Sequence, residues 1–339
     1  MTITFSKSFL GLCTASIFLI GCGSSSGLIS TPIENIDAVP LKISELSEAQ
    51  KQNWGHADLL MDTIPGMSVD RAYNEIIGSK KGERVIVAVL DSGIDLDHED
   101  LKEVIWSNMD EIAGNGLDDD NNGFIDDIHG YNFLGESYNE QLEHTRIVAK
   151  KIGDASLQAK AKAKLDNAYA EAMQSKQQYE QIFQAVKNAD AAVKAELGKE
   201  EYTKADLSAI ETDDAAMQQN LGILLQMFNY GESIPEVLEE LEGGITHFSE
   251  SLNYNLNVDF NGRAVVGDDP YNLMDTAYGN GNPKNRVEDE SHGTHVAGII
   301  AAVRNNGKGA NGVANNVALM SIRAVPNGDE YDKDIALGI

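Results

Sequence analysis

Apolar and polar positions divide the chain into stretches of different period. After Trp54, Ser68 is placed to cap a short helix through Ile77, and residues 78–82, Gly-Ser-Lys-Lys-Gly, form a turn. Residues 84–90, Arg-Val-Ile-Val-Ala-Val-Leu, are a nearly continuous apolar run ending at Asp91-Ser92-Gly93, the pattern of a fully buried parallel strand. Between Asp154 and Leu197 there is neither Gly nor Pro. Leu165, Tyr169 and Met173 recur every four residues, and Ile182, Val186, Ala189 and Val193 resume the stripe after polar Gln174–Gln178. The spacing predicts an amphipathic helix split in two by a stutter. Thr203 to Asp206 forms a capping box, a further helix covers Asp213–Asn229 before Gly231, and Ser233-Ile234-Pro235-Glu236 opens another that Gly243-Gly244 should stop. Residues 291–302, Ser-His-Gly-Thr-His-Val-Ala-Gly-Ile-Ile-Ala-Ala, predict a helix of small residues that approaches other backbone closely. Val317–Val325 is a second buried-strand candidate, and Asp332–Ile339 begins a helix.

Composition narrows the class. With 339 residues, 42% hydrophobic and 24% charged, the chain is globular rather than disordered. Lys+Arg total 26 against 54 Asp+Glu, a formal charge of −28, which argues against a nucleic-acid binder and disfavours adhesion to anionic lipid by charge. Both cysteines, Cys13 and Cys22, lie near the start. Phe9–Gly21 is an apolar run too short to span a bilayer and has the character of a secretory h-region. Leu19-Ile20-Gly21-Cys22 resembles a bacterial lipoprotein box, which implies cleavage before Cys22, acylation of that cysteine and attachment to the cell envelope, most simply the outer membrane. Residues 1–21 are then a signal peptide and 22–53 a flexible tether, and no thiol pair remains for a disulfide.

Asp91 ends a buried strand, where open α/β sheets place working groups, and His292 opens a helix flanked by Gly293 and Gly298. A carboxylate that orients an imidazole and stabilises its cation makes up two thirds of a nucleophilic triad. Residues 87–101, Val-Ala-Val-Leu-Asp-Ser-Gly-Ile-Asp-Leu-Asp-His-Glu-Asp-Leu, resemble the aspartate motif of subtilisin-like serine peptidases, the subtilases. Residues 292–298, His-Gly-Thr-His-Val-Ala-Gly, match that family's histidine motif letter for letter. The resemblance covers roughly 54–134 and 286–339. It implies an α/β fold, a parallel sheet with flanking helices, interrupted here by a helical insertion at 135–260 and resumed at 261–339. It also implies hydrolysis of peptide bonds in protein or peptide substrates, with Asp91 orienting His292 and His292 acting as general base and then acid. His98 and His295 take structural roles in the family.

This sequence departs from the family pattern in spacing, in its nucleophile and at its front. Asp91 and His292 are 201 residues apart, where compact members have about thirty, and the insertion accounts for most of the excess. The family's nucleophile comes from a Gly-Thr-Ser-Met-Ala segment after the histidine. Here Ser321 is the one serine after His295, inside a strand candidate, so these residues are expected to be the N-terminal part of a peptidase, inactive alone. Between the tether and Trp54 no folded propeptide, of the kind many secreted members use, is expected. Two alternatives predict different chemistry. One is a surface binding lipoprotein that keeps part of a protease fold. The other joins His292 and His295 with Glu288 or Asp289 as a zinc site.

Residues 115–127 carry five carboxylates within ten positions. Asp118, Asp120 and Asn122 alternate before Gly123, as in calcium loops; Phe124 would add a carbonyl and Asp126 a direct or water-mediated ligand. His129 stands at the twelfth position, so the loop is no standard EF-hand. The family resemblance favours structural Ca²⁺ here.

Overall fold

The computed structural model describes residues 36–80 and 82–339, so Cys22, the signal segment 1–21 and the first part of the tether lie outside the described residues. Strands β1 (Val85–Asp91), β2 (Gly130–Asn132) and β3 (Val317–Arg323) form a parallel sheet in the order β1-β3-β2. Arg323 is the register partner of both Asp91 and Asn132, so the three strands end level with one another. This is the mixed α/β, parallel-sheet architecture that the resemblance implies.

Burial separates the two long strands. β3 lies between two neighbours, and Leu319, Ser321 and Arg323 are fully enclosed. β1 was expected to be fully buried, but it is an edge strand among the described residues: Val85 and Ile86 are 53% and 52% exposed, and only its second half packs inward through Val89. An apolar run records a strand's capacity to be covered on both faces, and the covering elements need not be local in sequence. β2 has three residues, too few for any periodic signal.

Among the described residues, ten α-helices flank the sheet and build the insertion. Before β1 come α1 (Glu48–Asn53), α2 (Leu59–Asp62) and α3 (Val69–Ala72), the last running into a π-helical turn at Tyr73–Ile77. Helix α1 opens with a Ser47–Gln50 capping box, so the expected tether through residue 53 ends in ordered helix. Ser68 makes no side-chain cap to α3. Arg304 fastens this segment to the part of the chain that follows the insertion, donating to Asp70 Oδ1 at 2.9 Å and stacking 4.0 Å over the Tyr73 ring.

The insertion contains α4 (Glu143–Lys150), α5 (Ala155–Leu197), α6 (Lys204–Ser208), α7 (Ala215–Met227) and α8 (Ile234–Glu250). The expected stutter does not break α5. It is one helix of 43 residues, about 65 Å long at 1.5 Å per residue. Polar Gln174–Gln178 bring no Gly or Pro, so the backbone ladder continues even where the apolar stripe lapses. Val186, Ala189 and Val193 pack with Leu207, Leu221, Leu224 and Ile234 in a core belonging to the insertion itself. The capping boxes at Thr203 and Ser233 form as expected. Gly243-Gly244 do not stop α8. A Cβ at Gly244 would collide with the Tyr179 ring, so the glycine admits α5 rather than ending its own helix.

Both ends of the insertion close on each other, with Leu142 N–H donating to Asn255 O at 2.9 Å and Gln141 Nε2 to Asn257 O at 2.7 Å. An insertion whose ends meet leaves the parent fold unstrained. Helices α9 (His292–Ala301) and α10 (Asp332–Gly338) complete the domain. Ala297 and Ala301 of α9 pack on Val89, Ile94, Leu101 and Leu319, a contact that small side chains permit. No helix among the described residues is long and apolar enough to cross a membrane.

Candidate active site and cation loop

The sheet delivers Asp91 and α9 delivers His292 to one place. Asp91 is the last residue of β1; its backbone carbonyl accepts from Ala324 and Val325 N–H at 2.9 and 3.1 Å, and its side-chain Oδ1 accepts Ser92 N–H at 2.7 Å. His292 is the first residue of α9, and its Nδ1 lies 2.9 Å from Asp91 Oδ1 and 2.8 Å from Oδ2. An acceptor-only carboxylate at that distance requires Nδ1 to carry the proton, which leaves the lone pair of the neutral ring on Nε2. The Asp91 side chain is 14% exposed and the His292 side chain 75%, so the carboxylate is held in the protein while the imidazole is presented to solvent.

Local backbone makes this approach possible. A Cβ at Gly293 would fall on the Gly93 carbonyl oxygen and crowd Asp91 Cβ at 3.2 Å, so only glycine lets α9 begin here. Thr294 Oγ1 accepts the Asp95 N–H at 2.9 Å, tying the loop after β1 to the first turn of α9. Ile94 beneath it is fully buried.

The acidic loop is organised differently from the ligand set expected from spacing. Asp126 is turned back on its own loop, accepting Gly114, Asn115 and Gly116 N–H at 2.7, 3.1 and 3.0 Å. Asp118 accepts Asn122 and Gly123 N–H at 3.0 and 2.9 Å. The Asn122 amide donates to Asp120 and Asp127, and Phe124 turns its ring onto Tyr131, 4.8 Å between centroids. The carboxylates that converge are Glu111, Asp120 and Asp127, with ligand oxygens within 4.8 Å of one another. Of the expected carboxylates Asp118, Asp120 and Asp126, only Asp120 belongs to this group. Burial pushes the Asp127 carboxyl up, with Asp120 and Glu111 adding to the rise. Glu111 holds the Asp119 and Asp120 N–H groups at 2.7 and 3.1 Å through Oε1, while its buried Oε2 has no hydrogen-bond partner. A buried carboxylate with one oxygen orphaned, converging with two other carboxylates, fits a hard cation with oxygen ligands. Spacing could not reveal Glu111, which lies seven residues before the acidic run, and adjacency to Asp126 hid Asp127.

The subtilase family model matches residues 82–339, more than half of the chain. The chain belongs to the subtilase family. Subtilisin-like protease 1 of Plasmodium berghei is 44% identical over 71 residues, 21% of this chain and 12% of that protein. The protein of the same name from Plasmodium falciparum (isolate 3D7) is 47% identical over 66 residues, 19% and 10% of the two chains. Thermophilic serine proteinase of Bacillus sp. (strain AK1) is 37% identical over 79 residues, 23% and 18%. The matches to the two Plasmodium proteins thus span about a tenth of those relatives' length.

The remaining sequence candidates of this subtilase separate by burial. Ser321 is fully enclosed and donates to Pro283 O at 2.8 Å, an interior hydroxyl rather than an exposed nucleophile. His98 Nδ1 accepts Asp100 N–H at 3.2 Å within its own turn. The zinc set does not assemble among the described residues: His292 is committed to Asp91, and His295, Glu288 and Asp289 join no cluster with it.

Proposed function

We propose that this subtilase carries the Asp–His part of a serine endopeptidase centre that hydrolyses peptide bonds in protein or peptide substrates. The observation that supports it is the contact of His292 Nδ1 with both Asp91 oxygens, on a ring whose other face is open. In that arrangement Nε2 takes the proton of an attacking serine hydroxyl, Asp91 stabilises the imidazolium so formed, and the proton then passes to the leaving amine. Among the described residues no serine hydroxyl is hydrogen-bonded to His292. The reading therefore requires a serine hydroxyl delivered to Nε2, which the family resemblance implies on a Gly-Thr-Ser-Met-Ala segment. The test is fluorophosphonate labelling of the complete gene product. A serine is labelled in the wild type, and His292→Ala abolishes the label. A folded wild-type protein that takes up no probe would favour the surface binding lipoprotein instead.

Glu111, Asp120 and Asp127 would hold a structural Ca²⁺, which would supply the positive charge that three converging carboxylates lack. At calcium a hundredfold above its dissociation constant the folded state gains about 2.7 kcal/mol. Chelation is therefore expected to lower the melting temperature of the wild type, and Glu111→Gln to remove most of that difference. Equal melting curves with and without chelator would eliminate the site. Attachment to the bacterial envelope through Cys22 is part of the same proposal and rests on the Leu19-Ile20-Gly21-Cys22 sequence.

A further inference from the structure

Two residues before His292, Glu290 is almost wholly enclosed, and it faces Arg323, whose side chain has no exposed surface at all. Arg323 uses every one of its five N–H donors. Nε reaches Glu290 Oε1 at 3.1 Å, Nη1 reaches Asn132 Oδ1 and Gly135 O at 3.1 Å each, and Nη2 reaches Ser137 O at 2.7 Å and Glu290 Oε1. The second Glu290 oxygen accepts the backbone N–H groups of Arg286 and Val287, closing the turn that leads into α9. On the other side Arg323 is the ladder partner of Asp91, and the next residue, Ala324, donates its N–H to Asp91 O at 2.9 Å. One buried ion pair thus joins the strand that braces the carboxylate to the turn that carries the imidazole.

We propose that Glu290 and Arg323 are positioning residues that set His292 in register with Asp91. A buried ion pair can commonly be exchanged for apolar residues of similar volume with little loss of stability, so stability alone is a weak reason for keeping this one. Its geometry supplies another. Apolar replacements would fill the same space yet could not hold the 286–290 turn by its N–H groups, and a shift of about 1 Å is enough to disrupt a catalytic contact.

This inference rests on the Asp91–His292 pairing proposed above, and the experiment separates the two. Two-bond ¹H–¹⁵N correlation spectra of the imidazoles report which ring nitrogen of His292 holds the proton. In the wild-type chain at neutral pH the pattern is that of the Nδ1–H tautomer, and Asp91→Ala abolishes it. The paired variant Glu290→Leu/Arg323→Met is expected to stay folded by circular dichroism while His292 falls back to a mixture of tautomers, as in Asp91→Ala. A folded paired variant that keeps the wild-type His292 pattern overturns the positioning role. So does failure of both the paired variant and Glu290→Gln to fold, which would make the pair a structural staple. If wild type and Asp91→Ala already look alike, the Asp91–His292 pairing itself is wrong.

Discussion

Replacing His292 with alanine in the complete gene product is expected to lower kcat by about 10⁶-fold, and replacing Asp91 with asparagine by about 10⁴-fold, the scale set by residue-by-residue dissection of such triads. The first change removes the group proposed to accept the nucleophile's proton and corresponds to about 8 kcal/mol of transition-state stabilisation. The second preserves size and position but reverses a hydrogen bond. An asparagine amide can donate to Nδ1, and the ring proton then moves to Nε2, where it blocks acceptance of another. KM should stay near the wild-type value in both, because neither change removes a group proposed to hold the ground-state substrate. Peptide hydrolysis measured at saturating substrate checks this, with circular dichroism to confirm folding. Wild-type turnover in His292→Ala would end the assignment.

Arg263→Met is expected to destabilise the folded chain by about 3–5 kcal/mol, the cost of leaving a buried charge without its partner. Arg263 grips two carboxylates that have no exposed surface: Nε and Nη2 reach Asp268 at 2.8 and 2.9 Å, and Nη1 and Nη2 reach Asp334 at 2.6 and 2.8 Å. Tyr278 Oη donates to Asp334 at 2.6 Å, and Lys333 donates to Asp268 and to the Asp269 carbonyl at 2.8 Å each. With two cations and two carboxylates the cluster is neutral, and it fastens the polar loop after the insertion to α10. Burial alone would raise the Asp268 carboxyl, but Arg263 and Lys333 bring it below the ordinary carboxylate value. A depressed folded value means that this stabilisation is complete above the unfolded carboxylate range and is lost as pH falls through the folded value. In Arg263→Met the stranded carboxylates shed charge by protonation, so the difference from wild type should narrow as the pH is lowered. Urea midpoints at unchanged slope, taken at neutral pH and near pH 4, measure both effects. Equal midpoints at neutral pH would show that the cluster is dispensable.

Local chemistry made several features readable. The capping boxes at Thr203 and Ser233 need only a hydroxyl and an acid three residues apart, and they form where the spacing puts them. The apolar alternatives to loop at 85–91 and 317–323 are strands because both runs are short and rich in branched side chains. Where a residue's role depended on what lay across from it, local pattern misled. Gly243-Gly244 look like a helix stop until Tyr179 is seen against them, and Asp126, grouped by spacing with the other loop carboxylates, accepts the three amides of residues 114–116.

By itself the sequence determined the family and the parallel α/β class, and it pointed to the helical insertion and to Asp91 and His292 as candidates, because each is written in contiguous residues whose chemistry is local. Tertiary structure decided that β1 is an edge among the described residues, that Glu111 and Asp127 converge with Asp120, and that Glu290 and Arg323 bridge the two halves of the candidate site. Those outcomes depend on which distant segments compete for the same donors and the same space, and no stretch of chain carries that information until the whole has folded.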